Sequence, residues 1–113
     1  MELWTTEQLG AMVANAVSSS AIDNFDPYPD VKLFTPDAGA TWLLTEYDPN
    51  EGVAFGLCDL GLGEPELGYV SIDELKAVRG RVGLPVERDL FFKATKPLSA
   101  YAKEAHYARR IVT

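Results

Sequence analysis

VKLFTPDAGATWLLTEYDPNEGVAFGLCDLGLGEPELGYVS, residues 31–71, decides the fold. It reads as consecutive strands separated by short, turn-rich breaks. Thr41 to Tyr47 alternates, which sets Trp42, Leu44 and Glu46 on one face and Leu43, Thr45 and Tyr47 on the other. Val53 to Leu60 follows after Asp48-Pro49-Asn50-Glu51-Gly52, a hairpin signal. With Tyr47 opposite Val53, Thr45 meets Phe55, Leu43 meets Leu57 and Thr41 meets Asp59, so one face carries cross-strand pairs that stabilise the ladder. Trp42, Leu44, Phe55, Leu57 and Cys58 are expected in the core.

Working outward, Thr5 and Gln8 are spaced as a capping box, and Trp4 is placed to staple onto Leu9. Leu9, Met12, Val13, Ala16 and Val17 then recur at helical spacing, a core stripe that predicts a helix over about 6–17, ending in Ser18-Ser19-Ser20. Asp23 to Asp30 is a loop by its two prolines and its Asx residues; it lacks the glycine and terminal glutamate of a hand-type calcium site. Gly61 to Gly68 is acidic, has no Lys-Ser/Thr after it and leads into a strand, so it reads as a wide turn and not a phosphate loop. Ser71 and Glu74 form a second capping box for a helix from Ile72 to Arg79, stopped by Gly80. Val86 to Lys93 is expected as a further strand. Pro97 opens a last helix over about 97–110, with Leu98, Tyr101, Ala102 and Ala105 on its apolar side.

The order of elements predicts one α+β domain over 1–113, with three helices and a mainly antiparallel sheet of four to five strands around a core at 31–71. The inter-strand connections are too short for parallel crossovers. At 113 residues and 47% hydrophobic, the chain suits one core and not two. The single cysteine, Cys58, lies in an apolar strand far in sequence from the one histidine, His106, which excludes a disulfide framework and favours an inert thiol. The apolar runs are too short for a membrane span and MELWTTEQ has no signal-peptide pattern, so no membrane association and a cytoplasmic location are expected.

Charge is the informative bulk property. The net value is -7, yet Met1 to Leu75 holds 14 acidic residues against one basic residue, Lys32, while Lys76 to Thr113 holds nine basic against three acidic. An acidic surface of this kind repels nucleic acid and attracts basic proteins.

VKLFTPDAGATWLLTEYDP, AFGLCDLGLGEPELGYVS, GLPVERDLFF and TKPLSAYA resemble the bacterial domain-of-unknown-function family 2958, over roughly residues 30–102. The resemblance implies a small accessory protein of plasmids, integrative elements and prophages, in a family some of whose members are labelled single-stranded DNA endonucleases. It also implies a frequent histidine at the position held here by Phe91.

Three readings of function follow. The first is binding to a host protein with a basic surface, such as a nucleic-acid-processing or defence protein, with Asp37, Asp48, Glu51, Glu64 and Glu66 projecting from turns in place of phosphates. The alternative is a metal-dependent single-stranded DNA endonuclease. It draws on Asp37, Glu46, Asp59, Glu66, Glu87 and Asp89, with Asp59, Glu66 and Lys96 as catalytic candidates and Asp37, Asp59 and Glu66 as ligands for magnesium or manganese; no cofactor is expected outside that alternative. The third, direct nucleic-acid binding by Lys93, Lys96, Lys103, Arg109 and Arg110 with Tyr101 and Tyr107 interleaved, is opposed by the overall charge. Arg88 is expected in an internal ion pair with a neighbouring strand, and Trp42 and Tyr69 in the core.

Overall fold

The computed structural model describes residues 2–113. In chain order the elements are α1 (Thr6–Ala21), β1 (Val31–Phe34), β2 (Thr41–Asp48), β3 (Val53–Asp59), β4 (Glu66–Ser71), α2 (Ile72–Ala77), β5 (Glu87–Arg88) and α3 (Leu98–Ala108). The strands form one antiparallel sheet in the order β4-β3-β2-β1-β5, giving the α+β architecture expected.

Alternation along the strands gives the sheet two apolar faces. Val31 and Leu33 of β1, Trp42 and Leu44 of β2 and Ala54 of β3 are buried with Met12 of α1 and Leu75 of α2. Leu43 and Leu57 on the opposite face are buried with Leu98, Tyr101 and Ala105 of α3 and with Ile111. The sheet is therefore a middle layer. Phe55, on the α3 face, and Cys58, on the α1 face, are only half-buried, both lying on β3 beside the outermost strand β4.

The β2–β3 register is Thr41↔Asp59 and Leu43↔Leu57, as the alternation requires, but it slips between Leu44 and Glu46, so that Glu46 faces Phe55, Tyr47 faces Ala54 and Asp48 faces Val53. The predicted pairs Thr45–Phe55 and Tyr47–Val53 are thereby corrected. The bulge at Thr45 turns Tyr47 toward the α1 face, where it meets Trp4 at 5.3 Å between ring centroids; Trp4 thus has Tyr47 as its ring partner. A bulged residue loses ladder partners. Here Asn15 Nδ2 donates to the Thr45 carbonyl at 2.9 Å and to Asp30 Oδ2 at 3.0 Å, fastening α1 across the bulge.

Other boundaries differ for local reasons. The Thr5–Gln8 capping box is present, but α1 continues through the serines to Ala21, with Ser20 Oγ donating to the Val17 carbonyl and Ile22 N–H closing on Ser18. Serine in a helix is neutral enough for such contacts to decide. The second helix stops at Ala77, because Arg79 turns out to bridge Pro85. The wide turn ends earlier than expected, since Leu67 and Gly68 are already in β4. The strand expected over Val86 to Lys93 shrinks to Glu87–Arg88; Asp89 Oδ1 accepts from Phe91 N–H at 2.9 Å and turns the chain away. Arg88 donates to the Glu2 carbonyl at 3.1 Å and not to a carboxylate. The local ion pair is instead Lys32–Asp89.

The last helix ends at Ala108, with Arg109 left-handed at φ 62°. Its N-cap, Pro97, has no capping side chain. Asp26, from the loop after α1, supplies the cap instead, accepting from Ser99 N–H at 3.0 Å and from Ser99 Oγ. Asp26 of that loop is thus used internally.

Candidate functional site

The outermost strand, β4, pairs on one side only: Val53↔Ser71 through Cys58↔Glu66 join it to β3, and no strand lies beyond it among the described residues. An exposed edge of unpaired N–H and C=O groups is a template for another strand, which proteins ordinarily block with lysine, proline or inward charge. The sequence Glu66-Leu67-Gly68-Tyr69-Val70-Ser71 carries none of these blocks, its sole charge being Glu66 at the first position. Leu67 and Tyr69 share one face of the strand and are 49% and 71% exposed, with Tyr69 leaning on Phe55 at 5.0 Å. Tyr69 was expected in the core; it is at the surface because the edge position leaves its outer side uncovered.

The carboxylates are grouped around this edge. Glu64 and Glu66 lie at its start, both exposed. At its other end Asp73 and Glu74 open α2, and the β2–β3 turn carrying Asp48 and Glu51 is tied to the same place by a 2.9 Å bond from Ile72 N–H to the Gly52 carbonyl. Four of the five acids expected to bind a partner therefore form two clusters. Six residues of strand separate them by about 17 Å, at roughly 3.3 Å per residue.

Asp37, the fifth acid, is elsewhere. Its Oδ2 accepts from Val82 N–H at 2.7 Å and from Leu84 N–H at 3.4 Å, holding the loop after α2, while Oδ1 is buried without a hydrogen-bond partner. Gly80 passes so close that any side chain there would collide with the Asp37 carboxylate. Asp59 is also engaged internally: 3% exposed, it accepts from Gly61 N–H and from Ile111 N–H, each at 2.9 Å. Glu66 is on the open edge, and Lys96 lies in a cleft that neither Asp59 nor Glu66 lines. Among the described residues no three His, Cys, Asp or Glu side chains converge as a metal site, so the set Asp37, Asp59 and Glu66 is not brought together.

The cleft containing Lys96 has a volume of about 460 Å³ and lies between α3 and the β1–β5 side of the sheet. Lys32 reaches it from β1, on the face opposite Val31 and Leu33, and meets Asp89 at 3.4 Å. Lys96 meets Glu104 at 2.9 Å and sits 4.7 Å from the centre of the Tyr101 ring. Tyr101 is 4% exposed, with its hydroxyl accepting from Thr95 N–H, so it packs and does not offer a stacking face. Phe91, on the rim, is 94% exposed. Lys32 and Phe91 were absent from the sequence-based site sets. The inward alternation of Val31 and Leu33 marks Lys32 as belonging to the other face, but only the fold brings it beside Lys93 and Lys96.

Burial pushes the carboxyls of Asp30 and Glu46 above their ordinary range, with a hydrogen bond to Ser19 partly offsetting the effect at Glu46. Burial likewise pushes the Cys58 thiol up to about 11, so it is overwhelmingly protonated near neutral pH and a poor nucleophile. No helix among the described residues is long and apolar enough to cross a membrane.

A family model described as "Protein of unknown function (DUF2958)" matches residues 3–112. No curated protein and no solved structure matches the chain.

Proposed function

The chain belongs to this family of unknown function, and from its geometry we propose that it binds another protein by accepting an extended basic segment along the free edge of β4. The observation that carries this reading is the open, unguarded edge with acidic clusters at both ends. Main-chain hydrogen bonds to an added strand supply affinity, and the side chains on alternate positions supply choice of partner. The exposed faces of Leu67 and Tyr69 favour apolar residues at every second position of the incoming strand. The carboxylates of Asp48, Glu51, Glu64, Glu66, Asp73 and Glu74 favour arginine or lysine in and around it, and hasten encounter through their field. Basic segments of this kind belong to proteins that handle nucleic acid, including defence enzymes of a host cell, where carboxylates would occupy places made for phosphates. Inhibiting such a protein would suit the mobile-element setting that the family resemblance implies.

Cleavage of single-stranded DNA is less well supported, because Asp37, Asp59 and Glu66 do not converge among the described residues and the buried Asp59 carboxylate would have to abandon backbone N–H groups to serve as a ligand. The binding reading is tested with the full chain and a fluorescein-labelled peptide of alternating arginine and valine, followed by anisotropy. Binding is expected to weaken at least about tenfold when salt rises from low to roughly 0.3 M, because exposed charges are screened over a few ångströms. A comparable loss is expected in the double variant Leu67→Lys, Tyr69→Lys, which places blocking charges on the edge. The same peptide N-methylated at alternate residues cannot form the ladder, and equal binding by that peptide would remove the strand-addition mechanism.

A further inference from the structure

The cleft on the other side of the molecule has a different chemistry. In a chain of net charge -7, three lysines converge there: Lys32, Lys93 and Lys96. Among the described residues two carboxylates meet them, Asp89 and Glu104, and both ion pairs are partly solvated. The more open pair, Lys96–Glu104, is of the solvated kind that contributes little and yields readily to a stronger anion. Lys93 is exposed and has no carboxylate within ion-pair distance among the described residues. On the rim stands Phe91, 94% exposed and fixed by the turn that Asp89 closes.

We propose that this cleft binds a nucleotide, with the phosphate held by Lys93 and Lys96 and the base stacked on Phe91. A phosphate carries more charge than a carboxylate and has more acceptor oxygens, so two or more lysine ammonium groups around one cavity suit it better than they suit a simple carboxylic acid. An aromatic face left in water beside them suits the flat π-face of a base, as in single-strand binding proteins. The volume of about 460 Å³ is within the range of small-ligand clefts. Glu104 remains as an acceptor for a ribose hydroxyl or exocyclic amine once Lys96 turns to phosphate. The nucleotide can be free or one unit of a single strand, since both present the same phosphate and base. This site does not depend on the β4 edge, so either reading stands if the other fails.

Titration of the full-length protein, labelled for NMR, with adenosine monophosphate and separately with a twelve-residue oligothymidylate tests the proposal. Shifts are expected at Phe91, Lys93 and Lys96 with at least one of the two. Phe91→Ala and Lys93→Glu, both at exposed positions and so compatible with folding, should each weaken that binding about tenfold or more. Lys76→Ala, on α2 away from the cleft, should leave it unchanged. Equal affinity for the two probes identifies a free nucleotide as sufficient, while a much tighter strand identifies a polymer unit; both support the site. No cleft shifts at millimolar nucleotide and strand, or binding indifferent to Phe91→Ala and Lys93→Glu, would overturn it.

Discussion

Gly56→Ala is expected to destabilise the domain by more than about 3 kcal/mol, at the upper end of overpacking in a core, and in practice to prevent accumulation of folded protein. Gly56 lies in the middle of β3 opposite Leu44, immediately beside the bulge. There the β2 backbone comes so near that a methyl group would overlap the Leu43 carbonyl oxygen and stand 2.8 Å from the Leu44 Cα. The colliding atoms are main chain in a central strand with buried side chains on either face, so no rotamer change relieves them. Gly68 is its neighbour on β4, and a methyl there meets nothing within 4 Å. Chemical denaturation of the two alanine variants separates close approach from a general intolerance of substitution: Gly68→Ala should remain within about 0.5 kcal/mol of the parent, as surface changes usually do. Similar losses in both would remove the close-approach argument.

The second large effect is expected at Asp59. Its carboxylate joins the end of β3 to the Gly61 turn and to Ile111, the residue that returns the chain after α3 to the core under the sheet. Asp59→Ala leaves two N–H groups without their acceptor, one of them fully buried, at about 1–3 kcal/mol for each group that water cannot reach. A loss of about 3 kcal/mol in denaturation is therefore expected, together with faster tryptic cleavage at the exposed Arg109 and Arg110 as the segment around Ile111 loosens. A variant with parental stability and an unchanged cleavage rate would show that Asp59 has another role, and would reopen its assignment to catalysis.

Most of the sheet was legible in residues 31–71 because hydrophobic alternation and turn residues are local signals. The bulge was not, because Thr45 is an ordinary strand residue; what stabilises its displaced carbonyl is Asn15, on a helix far upstream. The end of α1 differs for a local reason, since a run of serines has little preference of its own and the Ser20 and Ile22 contacts to the preceding turn decide it. Asp89 shortened the last strand through a two-residue turn that competes with strand continuation on nearly equal terms.

The candidate sites show a similar division. Acidic residues in turns were recognisable as a class, but which of them stay at the surface depends on neighbours distant in sequence. Asp37 and Asp59 turn inward to Val82 and Ile111, whereas Asp48, Glu51, Glu64 and Glu66 end up around one edge because β4 is outermost. Strand order carried that information, and single-sequence alternation does not encode it. The cleft was hidden by the same property, since Lys32 stands alone in an acidic stretch until the sheet sets it beside residues from the other end of the chain.

The central claim is that β4 adds a strand from a basic partner. Amide hydrogen exchange of the full chain, alone and with the alternating arginine–valine peptide at saturation, tests it most directly, because unpaired edge amides exchange from the native state and become protected only when a ladder forms on them. The account predicts slowing by about tenfold or more at alternate amides within Glu66–Ser71, with the amides around Phe91 and Lys93 unchanged. Saturating peptide that leaves every β4 amide exchanging at its free rate would contradict it.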